Sequence, residues 1–169
     1  HDSIKAFTMV QIGFILDKQG LPAQSLSFYL QGLELLTEIG LRPISGFLLV
    51  DIGNVYFHQK QFEPAAEKYY SAIEVFEARN YPAGVYTSIN NLALIELESG
   101  NYDESKRLFN RGLDIALYQL NIPYLRAHSY GYLGDLFKTM GMNDSAIAYY
   151  NRVLSIEITE KGYNLIGLN

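Results

Sequence analysis

Cysteine is absent from all 169 residues, and tryptophan with it. Without a thiol there is no disulfide framework, no thiolate zinc site and no cysteine nucleophile. Positive charge is scarce as well. Thirteen Lys and Arg face 18 Asp and Glu, and a net charge of −5 argues against a phosphate-binding surface and hence against nucleic-acid partners. The three histidines, His1, His58 and His128, form no HxxxH or HExxH pair suited to a metal. No apolar run reaches the roughly 18 residues of a membrane span, so direct membrane insertion is not expected. No serine lies in a GxSxG elbow, and carboxylates such as Glu96 and Glu98 would sit on a helix surface with no cleft to make them acid and base. The expectation is a chain that is not an enzyme and needs no metal or cofactor. Neither compartment, cytoplasmic or periplasmic, is favoured for what reads as a soluble chain.

What is present is a pattern repeated four times. Residues 12–33, 52–73, 92–113 and 133–154 align without gaps, their starts 40, 40 and 41 residues apart. Each copy opens on an aliphatic residue (Ile12, Ile52, Leu92, Leu133) followed by a very small one (Gly13, Gly53, Ala93, Gly134). Ser25, Ala65, Ser105 and Ala146 share a later column, and four residues on comes an aromatic: Tyr29, Tyr69, Phe109, Tyr150. Gly32, Ala72, Gly112 and Val153 follow, each before an aliphatic. Glycine inside a helix costs about 1 kcal/mol relative to alanine, so its return at one register marks close helix approach. Gly53, Gly134 and Ala65 are therefore expected at helix–helix contacts, with the aromatic column as core.

Each copy is broken in the middle, at Gly20-Leu21-Pro22, Lys60-Gln61-Phe62, Gly100-Asn101-Tyr102 and Gly141-Met142-Asn143, and between copies near Pro43, Pro82 and Pro123. This punctuation predicts helices at about 2–19, 22–39, 43–60, 62–80, 82–99, 102–120, 123–140 and 143–160. Gly131-Tyr132-Leu133-Gly134 falls mid-helix and is no phosphate loop, and Asn143-Asp144-Ser145, formally a glycosylation sequon, reads as capping chemistry. His58, near a helix end, reads as a dipole partner. After a Lys161-Gly162 breaker, residues 163–169 look like the start of a fifth first-helix. With no polar cap closing the array, the chain is expected to be a fragment. Self-association through that end, by Leu165, Ile166 and Leu168, is expected in consequence.

The second copy (Ile52-Gly53, Tyr56, Phe62, Ala65, Tyr69, Ala72) and the fourth (Tyr130, Leu133-Gly134, Phe137, Gly141, Ala146, Tyr150) resemble the tetratricopeptide repeat. The resemblance is to its longer, roughly 40-residue variety, as in bacterial signalling and regulatory proteins. Departures are visible. Met9, Leu49, Ile89 and Tyr130 hold the tryptophan column, and Thr37, Glu77, Leu117 and Ile158 the closing-proline column. The resemblance implies an all-α, right-handed superhelical solenoid of four antiparallel helix pairs plus the start of a fifth. It forms a single domain over residues 1–169, with repeats at about 3–42, 43–81, 82–122 and 123–162.

In such a solenoid the first helix of each pair lines the concave face. Phe14, Asp17, Asn54, Phe57, His58, Asn90, Glu98, Asp135 and Lys138 are then the candidate peptide-binding residues. Their apolar neighbours Phe47, Val50 and Leu94 can equally be inter-repeat core, since aromatic and aliphatic residues at helical spacing usually pack. Asn54 falls at a position of the family's carboxylate clamp, but Val10, Phe14 and Leu94 supply no cation there. The implied function is a protein- or peptide-interaction scaffold, the repeat region of a larger regulatory protein. The alternative is a ligand-sensing input domain of a bacterial sensor kinase or cyclase, with a small molecule in the groove.

Overall fold

The computed structural model describes the backbone of residues 2–166 and the side chains of residues 2–41 and 44–156. The described residues form eight α-helices and no strand: α1 (Asp2–Lys18), α2 (Pro22–Glu38), α3 (Arg42–His58), α4 (Phe62–Glu77), α5 (Pro82–Glu98), α6 (Tyr102–Asp114), α7 (Pro123–Thr139) and α8 (Asn143–Ile166). The helix ends follow from local chemistry. Gly20, Gly100 and Gly141 take φ between +73° and +78°, and Lys60 occupies the same column at φ +60°. Beyond each, an amide donates back to the turn: Leu21 N–H to Leu16 O at 3.0 Å, Gln61 to Tyr56 at 3.0 Å, Asn101 to Glu96 at 2.8 Å, Met142 to Phe137 at 2.9 Å. A left-handed residue followed by this six-to-one bond satisfies the last carbonyls and turns the chain back.

The uneven spacing of the copies has a structural cause. Pro22 to Arg42 and Phe62 to Pro82 are each 20 residues, whereas Tyr102 to Pro123 is 21. The extra residue is absorbed by a π-helical stretch, Ile115–Leu120, that prolongs α6 and ends at Asn121 in the left-handed region (φ +49°). Widening a turn by one residue is how a helix accommodates an insertion without losing register on either side.

One expectation is corrected at the far end. Helix α8 runs unbroken through Lys161-Gly162 to Ile166, so the described backbone has no break there and no separate fifth helix starts at 163. Glycine only weakens a helix interior. It ends a helix where it turns left-handed, as Gly141 does, and Gly162 stays helical. The side chains of Leu165 and Ile166 and the whole of Leu168 lie outside the described residues.

The chain divides into two compact units, His1–Ser88 and Ile89–Asn169. In the first, α1 pairs with α2 and α3 with α4, and α2 packs against α3. Ala6, Tyr29, Leu36, Leu48, Ile52 and Val55 form its buried cluster. The small-against-large interlock is direct: a Cβ on Gly13 would stand 2.6 Å from Tyr29 Cδ1, and one on Gly53 2.5 Å from Tyr69 Cε1. In the second unit α7 pairs with α8 and packs on α6, and Gly134 meets Tyr150 at the same 2.5 Å. Gly53, Gly134 and Ala65 are all buried, as their columns require. The serine column adds a polar link between the helices of a pair: Ser25 Oγ donates to Gly13 O (2.8 Å) and Ser105 Oγ to Ala93 O (2.9 Å). Among the described residues no helix is long and apolar enough to cross a membrane.

Candidate binding surface

Two residues after each leading aliphatic stand Phe14, Asn54, Leu94 and Asp135, and the structure shows why their chemistry alternates. In the second copy Tyr69 Oη donates to Asn54 Oδ1 at 2.8 Å; in the fourth, Tyr150 Oη donates to Asp135 Oδ1 at 2.7 Å. The third copy carries Leu94 and Phe109 in these two columns, with neither acceptor nor hydroxyl. A hydroxyl buried in an aromatic column needs an acceptor, and the facing first helix supplies one only where a hydroxyl exists. Asn54 and Asp135 thus brace their own hairpins as well as lying on the candidate face. Burial holds the Tyr69 hydroxyl far above its ordinary pKa, so it remains a proton donor.

The first copy is different. Phe14 is 47% exposed, and Lys18 Nζ lies over its ring at 5.3 Å from the centroid. Here the buried Tyr29 is pushed up to about 12, by burial first and then by the negative fields of Asp51 and Asp17. Asp51, on α3, is itself pushed up to about 6 from 3.8. Burial is the main cause, Asp17 adds to it, and Lys18 opposes it. These residues of α1, α2 and α3 therefore share one electrostatic environment within residues 1–88: two carboxylates, one ammonium and an aromatic ring open to solvent. Asp51 was not singled out from sequence. Its column otherwise holds Gln11, Asn91 and Tyr132, and an acid there among uncharged polar residues is the signal that could have found it.

The remaining candidates are distributed as follows. Phe57 and His58 touch, ring centroids 5.8 Å apart, and Lys60 Nζ lies 5.9 Å over Phe57. Glu98, Asp135 and Lys138 are exposed. Asn90 is a correction. It is only 2% exposed, and a Cβ on Gly112 of α6 would come within 2.6 Å of its Oδ1, so it packs inside the hairpin rather than facing a ligand. The glycine opposite makes room for it. Val50 is buried too, whereas Phe47 is half exposed, edge-on to Phe76 and Tyr81.

A pH dependence follows from Asp51. Its folded pKa lies above its unfolded one, so its favourable contribution is complete below about pH 4 and is lost as pH rises through about 6. Two pKa units correspond to about 3 kcal/mol, which partial exposure reduces to about 1–2 kcal/mol. Asp51→Asn is expected to unfold at higher urea than the parent at pH 7 and at the same urea near pH 4. An equal offset at both pH values would remove Asp51 from this role.

The geometry has relatives. Residues 85–156 match the family model described as tetratricopeptide repeat. That stretch consists of tetratricopeptide repeats. Among solved structures, BtubC from P. vanneervenii superposes with a TM-score of 0.83 at 21% identity, covering 96% of this chain and 67% of BtubC. Aspartyl phosphate phosphatase F from Bacillus subtilis gives 0.85 at 16% identity, over 95% of this chain and 42% of the phosphatase. A Rap protein complexed with competence and sporulation factor gives 0.77 at 17%, over 90% and 43%. The chain thus spans less than half the length of the last two. No curated protein matches it by sequence. What this tetratricopeptide fold provides is a protein-interaction scaffold.

Proposed function

We propose that the chain binds a protein or peptide segment on the first-helix face of residues 1–88, as the interaction region of a regulatory or signalling protein. The observation that carries the reading is Phe14, a solvent-exposed aromatic under the Lys18 ammonium beside the Asp17 and Asp51 carboxylates. Most of the small and aromatic columns of the repeat pattern are taken up in packing. Here an apolar anchor and both signs of charge remain at the surface, the combination a peptide receptor uses for affinity and register. The Rap complex lends support, being a protein of the same fold solved with a bound factor.

Panning the purified chain against a phage library of random 12-residue peptides tests this. Enriched peptides are expected to lose at least tenfold in affinity on Phe14→Ser or Lys18→Glu, both exposed positions whose replacement leaves the helix content unchanged. Peptides that bind both variants as tightly as the parent would place binding elsewhere.

A further inference from the structure

We propose that α7 carries a second recognition site, a notch at Gly131 that takes an arginine side chain from an extended segment of a protein partner. Residues 124, 128, 131 and 135 follow one another at intervals of three or four and so share one face of α7. Rings occupy its first half. Tyr124 is 64% exposed, its Oη lies 2.8 Å from His128 Nε2, and the two rings are 4.6 Å apart. Tyr132 flanks them, 5.9 Å from the His128 ring and stacked at 5.2 Å on the buried Phe109 of α6. The fold does not ask for rings here, since the same three columns hold Ala83, Thr87 and Asn91 in the preceding copy. Phe7, Phe47 and Thr87, which share the His128 column, are exposed as well, so the exposure belongs to this face and not to the place of α7 in the chain.

Gly131 forms the floor of the notch. At Gly13, Gly53, Gly84, Gly112 and Gly134 a Cβ would come within 2.4–2.6 Å of a facing side chain, whereas nothing lies within 4 Å of one on Gly131. A helix-interior glycine costs about 1 kcal/mol against alanine, and packing does not account for this one. It leaves bare backbone between His128, one turn before, and the exposed Asp135, one turn after. Aromatic faces and a carboxylate around an open floor suit a cation. They suit a guanidinium above an ammonium, because its plane stacks on a ring while its fork reaches a carboxylate. The chain shows this stacking itself, with the Arg152 guanidinium 5.5 Å over Tyr130 and 5.1 Å over Tyr149. Asp135 Oδ1 accepts from Tyr150 Oη, and a carboxylate with about four lone-pair sites can accept further donors. The Tyr132 hydroxyl is pushed above its ordinary pKa by burial first, then by Tyr124 and Asp135, so the negative field reaches the rings. The partner segment is extended for a reason of spacing. Tyr124 and His128 stand about 6 Å apart along the helix axis, close to the roughly 6.4–6.8 Å between alternate side chains of an extended chain. A residue two places from the arginine then falls on Tyr124.

NMR titration of the isotope-labelled 169-residue chain with the blocked peptide Leu-Ser-Arg-Ser-Leu tests the site. The backbone amide signals of His128, Gly131 and Tyr132 are expected to shift saturably. The same peptide with citrulline, neutral and nearly isosteric with arginine, is expected to leave them in place, and N-acetyl-arginine amide to bind at least threefold more weakly because it leaves Tyr124 uncovered. Asp135→Asn removes the charge but keeps an acceptor for Tyr150, as Asn54 does for Tyr69, and is expected to weaken the peptide at least threefold. Gly131→Ala fills the floor and is expected to weaken it as much while raising the urea midpoint of unfolding, which separates loss of the site from loss of the fold. Equal shifts with the citrulline peptide, equal affinity for N-acetyl-arginine amide, no saturable shift on α7, or binding undiminished in either variant overturns the proposal.

Discussion

Truncating Tyr69 to alanine is expected to lower stability by about 3–5 kcal/mol, and Phe109→Ala by a similar amount, the cost of a large-to-small change in a core that does not collapse. Both rings are essentially inaccessible, and they sit in different compact units, so the two variants report on residues 1–88 and 89–169 separately. Tyr69 carries an additional hydrogen bond to Asn54, which Tyr69→Phe alone removes at about 1 kcal/mol. The ordering parent, Tyr69→Phe, Tyr69→Ala is therefore expected in urea midpoints. Repeat arrays lose strict two-state behaviour when one repeat weakens, so midpoints followed by helix content are the safer comparison. Unchanged midpoints for both alanine variants would show that the aromatic column is not core.

The helix starts at Pro22, Phe62, Pro82, Tyr102, Pro123 and Asn143 were legible because each rests on local chemistry, a left-handed residue or a proline fixing the turn. Burial of the small and aromatic columns was legible for a different reason. Four copies of one packing problem expose the residues that solve it. The 41-residue step announced an extra residue but not the form it takes, since a π turn and a longer loop leave the same spacing. What escaped depends on contacts distant in sequence. Asn90 reads as a polar surface residue until Gly112 opens space for it inside the hairpin. Asp51 reads as a solvated carboxylate until α1 and α2 bring Asp17 and Tyr29 beside it. The end of α8 misled because a Lys-Gly pair resembles the other breakers, yet stopping a helix takes the backbone reversal as well as the glycine.

Replacing Gly53 by leucine is expected to cost at least about 1–3 kcal/mol, the range for overpacking a filled interior. Even the first added carbon would stand 2.5, 2.8 and 3.0 Å from three ring atoms of Tyr69, closer than carbons approach without displacement. The ring has no free path out, being buried with its hydroxyl tied to Asn54 on the same helix as Gly53. Gly53→Ala is milder, because alanine recovers about 1 kcal/mol of helix propensity against the same clash. The mechanism separates from a general loss of helix through a double-mutant cycle. Joined with Tyr69→Ala, the leucine enters volume that the ring has vacated, so the pair is expected to be less damaged than the two single costs combined, by about 0.5–3 kcal/mol. The chain already contains a related exchange, in which the third copy holds Ala93 and Phe109, one methyl more on the first helix and one hydroxyl fewer on the second. Strict additivity in the cycle, measured by urea unfolding, would mean that Gly53 and Tyr69 do not compete for the same space.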